Sequence, residues 1–136
     1  MNIFDSSVCL AIILNEKGTE KVRDLVKITF AQKESIFIHQ VNFIEVLYKA
    51  RTKLPTHSVN DLLAEFSSPW WGKLSYMDSD LMLLAAELKN KFKNASLADC
   101  IGLAISKILK ATFWTADSLL AEIGKAENIS VVLIRP

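Results

Sequence analysis

Two cysteines, three prolines and four glycines are all that a chain of 136 residues carries. Two cysteines are too few for a disulfide scaffold. Neither Cys9 nor Cys100 sits in a C-x-x-C spacing, so both are expected to be buried free thiols. So little glycine and proline leaves no linker, low-complexity tract or repeat that would divide the chain. An excess of one charge is missing too: 16 Lys and Arg stand against 15 Asp and Glu, for a formal net charge of +1. The two signs stay balanced along the chain, which excludes a strongly basic nucleic-acid sponge but not a local basic rim. Two short basic clusters, Lys49, Arg51 and Lys53, then Lys89, Lys91 and Lys93, read as helix ends where cations are favoured. The longest apolar runs, such as Val8 to Leu14 and Leu81 to Ala86, fall far short of the roughly 20 residues of a membrane span. The opening Met1-Asn2-Ile3-Phe4-Asp5 puts an acid where a secretory signal carries positive charge, and a cytoplasmic protein is expected.

What is present is apolar material: 51% of the residues are hydrophobic and mean hydropathy is +0.25, enough to fill the core of one domain spanning residues 1–136. Short apolar runs alternate with longer helical patterns, the signature of a parallel sheet with crossover helices. Strands are expected at Asn2 to Asp5, Ser35 to His39, Leu74 to Tyr76, Thr112 to Thr115 and Ser130 to Ile134. Helices are expected at Val8 to Leu14, Thr19 to Ala31, Val41 to Thr52, Thr56 or Ser58 to Phe66, Asp78 or Ser79 to Phe92, Ser96 to Leu109, and Asp117 or Ser118 to Ala126. Ser67-Ser68-Pro69-Trp70-Trp71-Gly72 reads as a loop with a bulky tip. Its two tryptophans suit base stacking or a protein contact, and the protein contact is the preferred reading.

In an open parallel sheet the functional crevice lies beyond the carboxyl ends of the strands. Asp5 and Asp117 follow two such ends, and each fits either the crevice or a turn and N-cap. Glu45 sits among Val41, Phe43, Ile44, Val46, Leu47 and Tyr48, a helix that reads as apolar almost all round and hence buried. A carboxylate there needs a basic partner or a metal, and Asn42, at i−3, shares its face. Asp99 closes Ser96-Leu97-Ala98-Asp99, a capping-box pattern leading into a buried helix. Four carboxylates in one crevice repel, and a hard divalent cation relieves the conflict; oxygen donors favour Mg²⁺ or Mn²⁺ over Zn²⁺. His39 and His57 lie on unrelated elements and are not expected to be ligands.

These residues, Asp5-Ser6-Ser7, Asn42-Phe43-Ile44-Glu45, Ser96-Leu97-Ala98-Asp99-Cys100 and Thr115-Ala116-Asp117, in this order over essentially the whole chain, resemble the PIN-domain family. The resemblance is to its small VapC-like toxin ribonucleases. It implies a three-layer α/β/α fold with a central parallel sheet of about five strands, a Mg²⁺- or Mn²⁺-dependent endoribonuclease acting on RNA, and a cognate antitoxin that wraps the toxin and blocks its acidic pocket. A homodimer is also expected. The resemblance makes Asp5, Glu45, Asp99 and Asp117 the catalytic and metal-holding cluster, with Ser7, Thr115 and Asn42 in support. Asp5 and Asp99 are the preferred direct ligands. Asn42 stands where a hydroxyl residue is frequent in the family, and Ser118-Leu119 replaces a further acid often found there. The alternatives are a PIN-like scaffold without activity and a receiver-type signalling domain. The latter fits poorly, since Asp5 is followed by Ser6-Ser7 rather than a second acid and Ser130 to Ile134 contains no Lys.

Overall fold

A computed structural model describes all 136 residues. Strands β1 (Asn2–Phe4), β2 (Ile36–His39), β3 (Trp71–Leu74), β4 (Thr112–Thr115) and β5 (Val131–Leu133) form one sheet in the order β3-β2-β1-β4-β5, parallel throughout. Helices α1 (Ser6–Leu14) and α2 (Thr19–Ala31) join β1 to β2, and α3 (Gln40–Lys53) and α4 (Thr56–Glu65) join β2 to β3. Helices α5 (Ser79–Lys91) and α6 (Leu97–Ile108) lead to β4, and α7 (Ser118–Glu127) leads to β5. The receiver fold runs its strands 2-1-3-4-5; here β1 lies between β2 and β4, so that alternative does not hold.

Side-chain alternation along the strands creates the three layers. Ile3 and Phe113 point to one face, where they pack with Leu81, Leu88, Leu103 and Leu120 of α5, α6 and α7. Phe4, Ile36, Ile38 and Trp114 point to the other, against Val8, Val22, Val46 and Phe66. Close approach of α6 to the sheet depends on Gly102: a Cβ there would sit 2.7 Å from the Phe113 ring and 3.2 Å from Asn42 Nδ2. Gly102→Ala is therefore expected to destabilise the fold by about 1–3 kcal/mol through overpacking, read as a lower urea midpoint.

The strand expected at Leu74 to Tyr76 begins earlier, at Trp71, whose backbone pairs with Ile36. Gly72 permits this, because it faces the Phe37 ring where any Cβ would collide at 2.3 Å. The loop expected over Ser67 to Gly72, with the tryptophans at its tip, is corrected at the same place, since Trp71 and Gly72 belong to β3. Trp71 is buried among Phe4, Phe30 and Phe66, and half-buried Trp70 lies against Phe30. Trp71 lines a groove of about 430 Å³ with the apolar Ile12, Ile13, Val26, Leu62 and Phe66 and the charged Arg23, Lys27 and Glu65. Cys9 and Cys100 are buried and unpaired. No helix is long and apolar enough to cross a membrane.

Candidate active site

Because β1 and β4 are adjacent and parallel, their carboxyl ends set Asp5 beside Thr115. Asp5 is 2% exposed, and both of its carboxylate oxygens accept hydrogen bonds. Its Oδ1 accepts from the Ser7 hydroxyl at 2.5 Å and from the Val8 N–H at 3.1 Å, which caps α1. Its Oδ2 accepts from the Thr115 hydroxyl at 2.5 Å. Both hydroxyls are themselves held: Ser7 Oγ accepts from the Ala116 N–H at 2.9 Å, and Thr115 Oγ1 accepts from the Asp117 N–H at 3.1 Å. Burial nevertheless dominates, and the Asp5 carboxyl is pushed up to about 6 from 3.8, with the Asp99 charge adding to the rise.

Asp99 is half-buried at the first turn of α6, where its N–H donates to the Ser96 hydroxyl cap at 3.1 Å. Its pKa is also raised, by desolvation first and then by Glu45 and Asp117. Asp99 therefore feels the charges of Glu45 and Asp117, and Asp5 feels that of Asp99. Asp117 is exposed, and its Oδ1 accepts from the Leu119 N–H at 2.9 Å, capping α7.

Glu45 departs from expectation. Ile44 and Tyr48 are 61% and 55% exposed, so α3 is not buried all round: only its Phe43, Val46 and Ala50 side reaches the core. The Glu45 carboxylate accepts from the Ser6 hydroxyl and pairs with Lys49 at 3.2 Å. An exposed i, i+4 pair contributes about 0.3–0.5 kcal/mol. Glu45→Gln is accordingly expected to change metal-free stability by no more than about 0.5 kcal/mol in either direction, read from the urea midpoint. Asn42 does not bond Glu45; its Nδ2 donates to the Ala98 carbonyl at 3.3 Å, tying α3 to the turn before Asp99, while its buried Oδ1 has no partner. Ser6 and Lys49 are the neighbours that spacing did not single out. Ser6 is adjacent to the Asp5 cap, and Lys49 lies one turn from Glu45, a spacing that signals an ion pair.

His39 caps α3 through Nδ1, which accepts from the Val41 N–H, while Nε2 donates to the Tyr76 carbonyl at 2.9 Å. Both ring nitrogens are engaged. As the side chains stand, no three acidic, histidine or cysteine groups converge on one point that an ion could share. The donors are nonetheless those a hard cation takes: carboxylate oxygens, of which those of Asp5 and Asp99 are raised first by burial and further by neighbouring acids. An unpartnered amide oxygen, Asn42 Oδ1, lies on the neighbouring helix.

The family model for the PIN domain matches residues 3–126. The chain belongs to the PIN domain family. Solved structures share the fold of this PIN domain from end to end at low identity. VapBC2 of Rickettsia felis, bound to a DNA fragment from its promoter, matches with a TM-score of 0.76 and 12% identity over 97% of each chain. DNA-bound VapBC of Salmonella typhimurium matches at 0.75 and 15%, over 98% of this chain and 97% of that one. VapC20 of Mycobacterium tuberculosis, a toxin that cleaves the sarcin-ricin loop, matches at 0.71 and 13%, over 91% and 95%. No curated protein matches the chain in sequence.

Proposed function

We propose that this PIN domain is a divalent-metal-dependent endoribonuclease, the toxin of a type II toxin-antitoxin pair, hydrolysing RNA phosphodiester bonds at Asp5, Glu45, Asp99 and Asp117. The observation that carries this reading is Asp5: a carboxylate buried at the end of the central strand, oriented by two hydroxyls and raised to about 6 by burial with Asp99 beside it. Keeping a charge in that place is unfavourable unless a cation offsets it. Family membership supports nuclease chemistry, and one fold neighbour is a toxin that cleaves a specific RNA loop.

When bound, Mg²⁺ or Mn²⁺ supplies positive charge that eases ionisation of water and offsets charge on the phosphodiester oxygens. Asp5 and Asp99 are assigned as its direct holders. Short side chains at a strand end and a helix start are held stiffly, Asp5 by Ser7 and Thr115 and Asp99 by its Ser96 cap. Glu45, on a longer stem and held by Ser6 and Lys49, completes the set or accepts the water's proton. Asp117 faces solvent at the rim and assists through water. Ser7 and Thr115 keep Asp5 in one rotamer, and Asn42 ties α3 to the turn before Asp99.

The partners proposed are RNA and a cognate antitoxin, since several fold neighbours were crystallised as VapBC toxin-antitoxin pairs. The apolar groove over Trp71 offers such a partner an anchoring surface. A homodimer is proposed from the exposed apolar side chains Ile44 and Tyr48 on α3 and Met82 and Leu83 on α5. Light scattering on the purified chain is expected to give twice the 15.2 kDa monomer mass, and a monomer at micromolar concentration contradicts the dimer. For the activity itself, the purified chain is incubated with structured RNA and Mg²⁺ or Mn²⁺. Discrete cleavage that EDTA abolishes is expected, and undiminished cleavage in EDTA refutes the metal mechanism.

A further inference from the structure

A cavity of about 350 Å³, lined mainly by polar and charged residues, opens beside the acidic site and shares Ser7 with it. Ser7, whose hydroxyl holds Asp5, and Leu10 of α1 line it together with Lys49, Thr52 and Lys53 of α3 and Arg135 beyond β5, with Glu16 as its one acid. Glu16 is taken by Arg135 at 3.2 Å. Lys53 has no carboxylate partner. Lys49 pairs with Glu45, so it stands between the groove and the carboxylates. Three cations line the cavity with one acid, and Lys53 is the cation among them without a carboxylate partner, so the cavity carries net positive charge beside a negative site.

Two of the three lysines in the other basic cluster are committed to structure. Lys89 binds the Lys93 and Ala95 carbonyls at 2.9 and 2.7 Å, and Lys91 pairs with Glu127 at 3.0 Å. A negatively charged polymer approaching four carboxylates is repelled unless cations hold it on the way in. Resting on the ribonuclease reading, we infer that this groove seats the RNA backbone flanking the scissile bond, with Lys53 and Arg135 contacting phosphates. Lys49 sits at the junction, where an arriving phosphate competes with Glu45 for its ammonium.

The test compares three proteins: the parent chain, a Lys53→Gln/Arg135→Gln double variant, and a Lys93→Gln/Lys125→Gln double variant that removes the same charge from α7 and the loop after α5. Fluorescein-labelled single-stranded RNA is titrated with each in EDTA over a range of KCl concentrations and followed by anisotropy. The groove variant is expected to bind at least about tenfold more weakly than the parent and to lose about 1.4 from its slope of log Kd on log salt, as two lost single-strand phosphate contacts require. The control is expected to stay within about twofold of the parent. Equal weakening in both double variants, or no measurable binding by the parent, overturns the groove. Because Arg135 also holds Glu16, a Lys53→Gln single variant, which breaks no ion pair, must show part of the same loss.

Cleavage with Mg²⁺ or Mn²⁺ separates the two readings. A parent that cleaves, with KM raised and kcat kept in the groove variant alone, supports both. Cleavage with equal KM in the two double variants sinks the groove and leaves the nuclease. RNA binding lost only in the groove variant, by a parent that does not cleave in any metal, sinks the nuclease and leaves the groove.

Discussion

Asp5→Asn is expected to lower RNA cleavage by about a hundred- to a thousandfold while the metal-free protein at neutral pH melts higher than its parent. The two effects share one cause. The folded-state pKa of Asp5, about 6, lies above the 3.8 of an ordinary Asp, so the folded state binds this proton more tightly than the unfolded chain does. The contribution of Asp5 to stability is then fully present below about pH 4 and is lost as pH rises through about 6, which costs about 3 kcal/mol at pH 7. Asn deletes the charge at nearly constant shape. It also gives up an acceptor, since the Thr115 hydroxyl that donates to Oδ2 must turn. The net gain is therefore expected at about 1–2 kcal/mol, and it should vanish below pH 4, where the parent carboxyl is protonated. Melts at pH 7.5 and pH 3.5 with EDTA check this. A variant less stable than its parent at pH 7.5 means that the hydrogen bonds to the carboxylate outweigh its burial.

The second large effect concerns added metal. A ligand that binds only the folded state at a hundred times its Kd stabilises by about 2.7 kcal/mol, or about 8 °C for a domain of this size. The parent is expected to show a rise of that order with Mn²⁺ or Mg²⁺, and Asp5→Asn and Asp99→Asn are expected to show little of it. Relief of repulsion adds to the rise, because the Asp99 charge pushes Asp5 up and the Glu45 and Asp117 charges push Asp99 up. A full metal response in both variants returns these acids to helix capping, a role the Val8 and Ser96 contacts already show.

The layers were readable because each inner strand alternates its faces: Ile3 and Phe4, or Phe113 and Trp114, cannot point the same way. Asp5 and Asp117 were readable as site candidates because a parallel sheet puts its functional edge at the strand ends, and both stand there. Glu45 was misjudged from its neighbours. Hydropathy does not say which apolar side chains remain in solvent, and Ile44 and Tyr48 do. The start of β3 was hidden by residues that signal turns, Pro69 and Gly72, although Gly72 is there to let the Phe37 ring lie against the strand. Lys49, Lys53 and Arg135 meet across more than eighty positions of chain, and no local pattern announces such a juxtaposition.

Whether these carboxylates hold a working cation is decided most directly by titrating Mn²⁺ calorimetrically into EDTA-stripped, dialysed parent, Asp5→Asn and Asp99→Asn proteins, then assaying the same samples for RNA cleavage. Saturable binding by the parent, lost in both variants together with cleavage, is the predicted result. Cleavage by parent protein that binds no divalent ion, or undiminished Mn²⁺ binding in both variants, contradicts it.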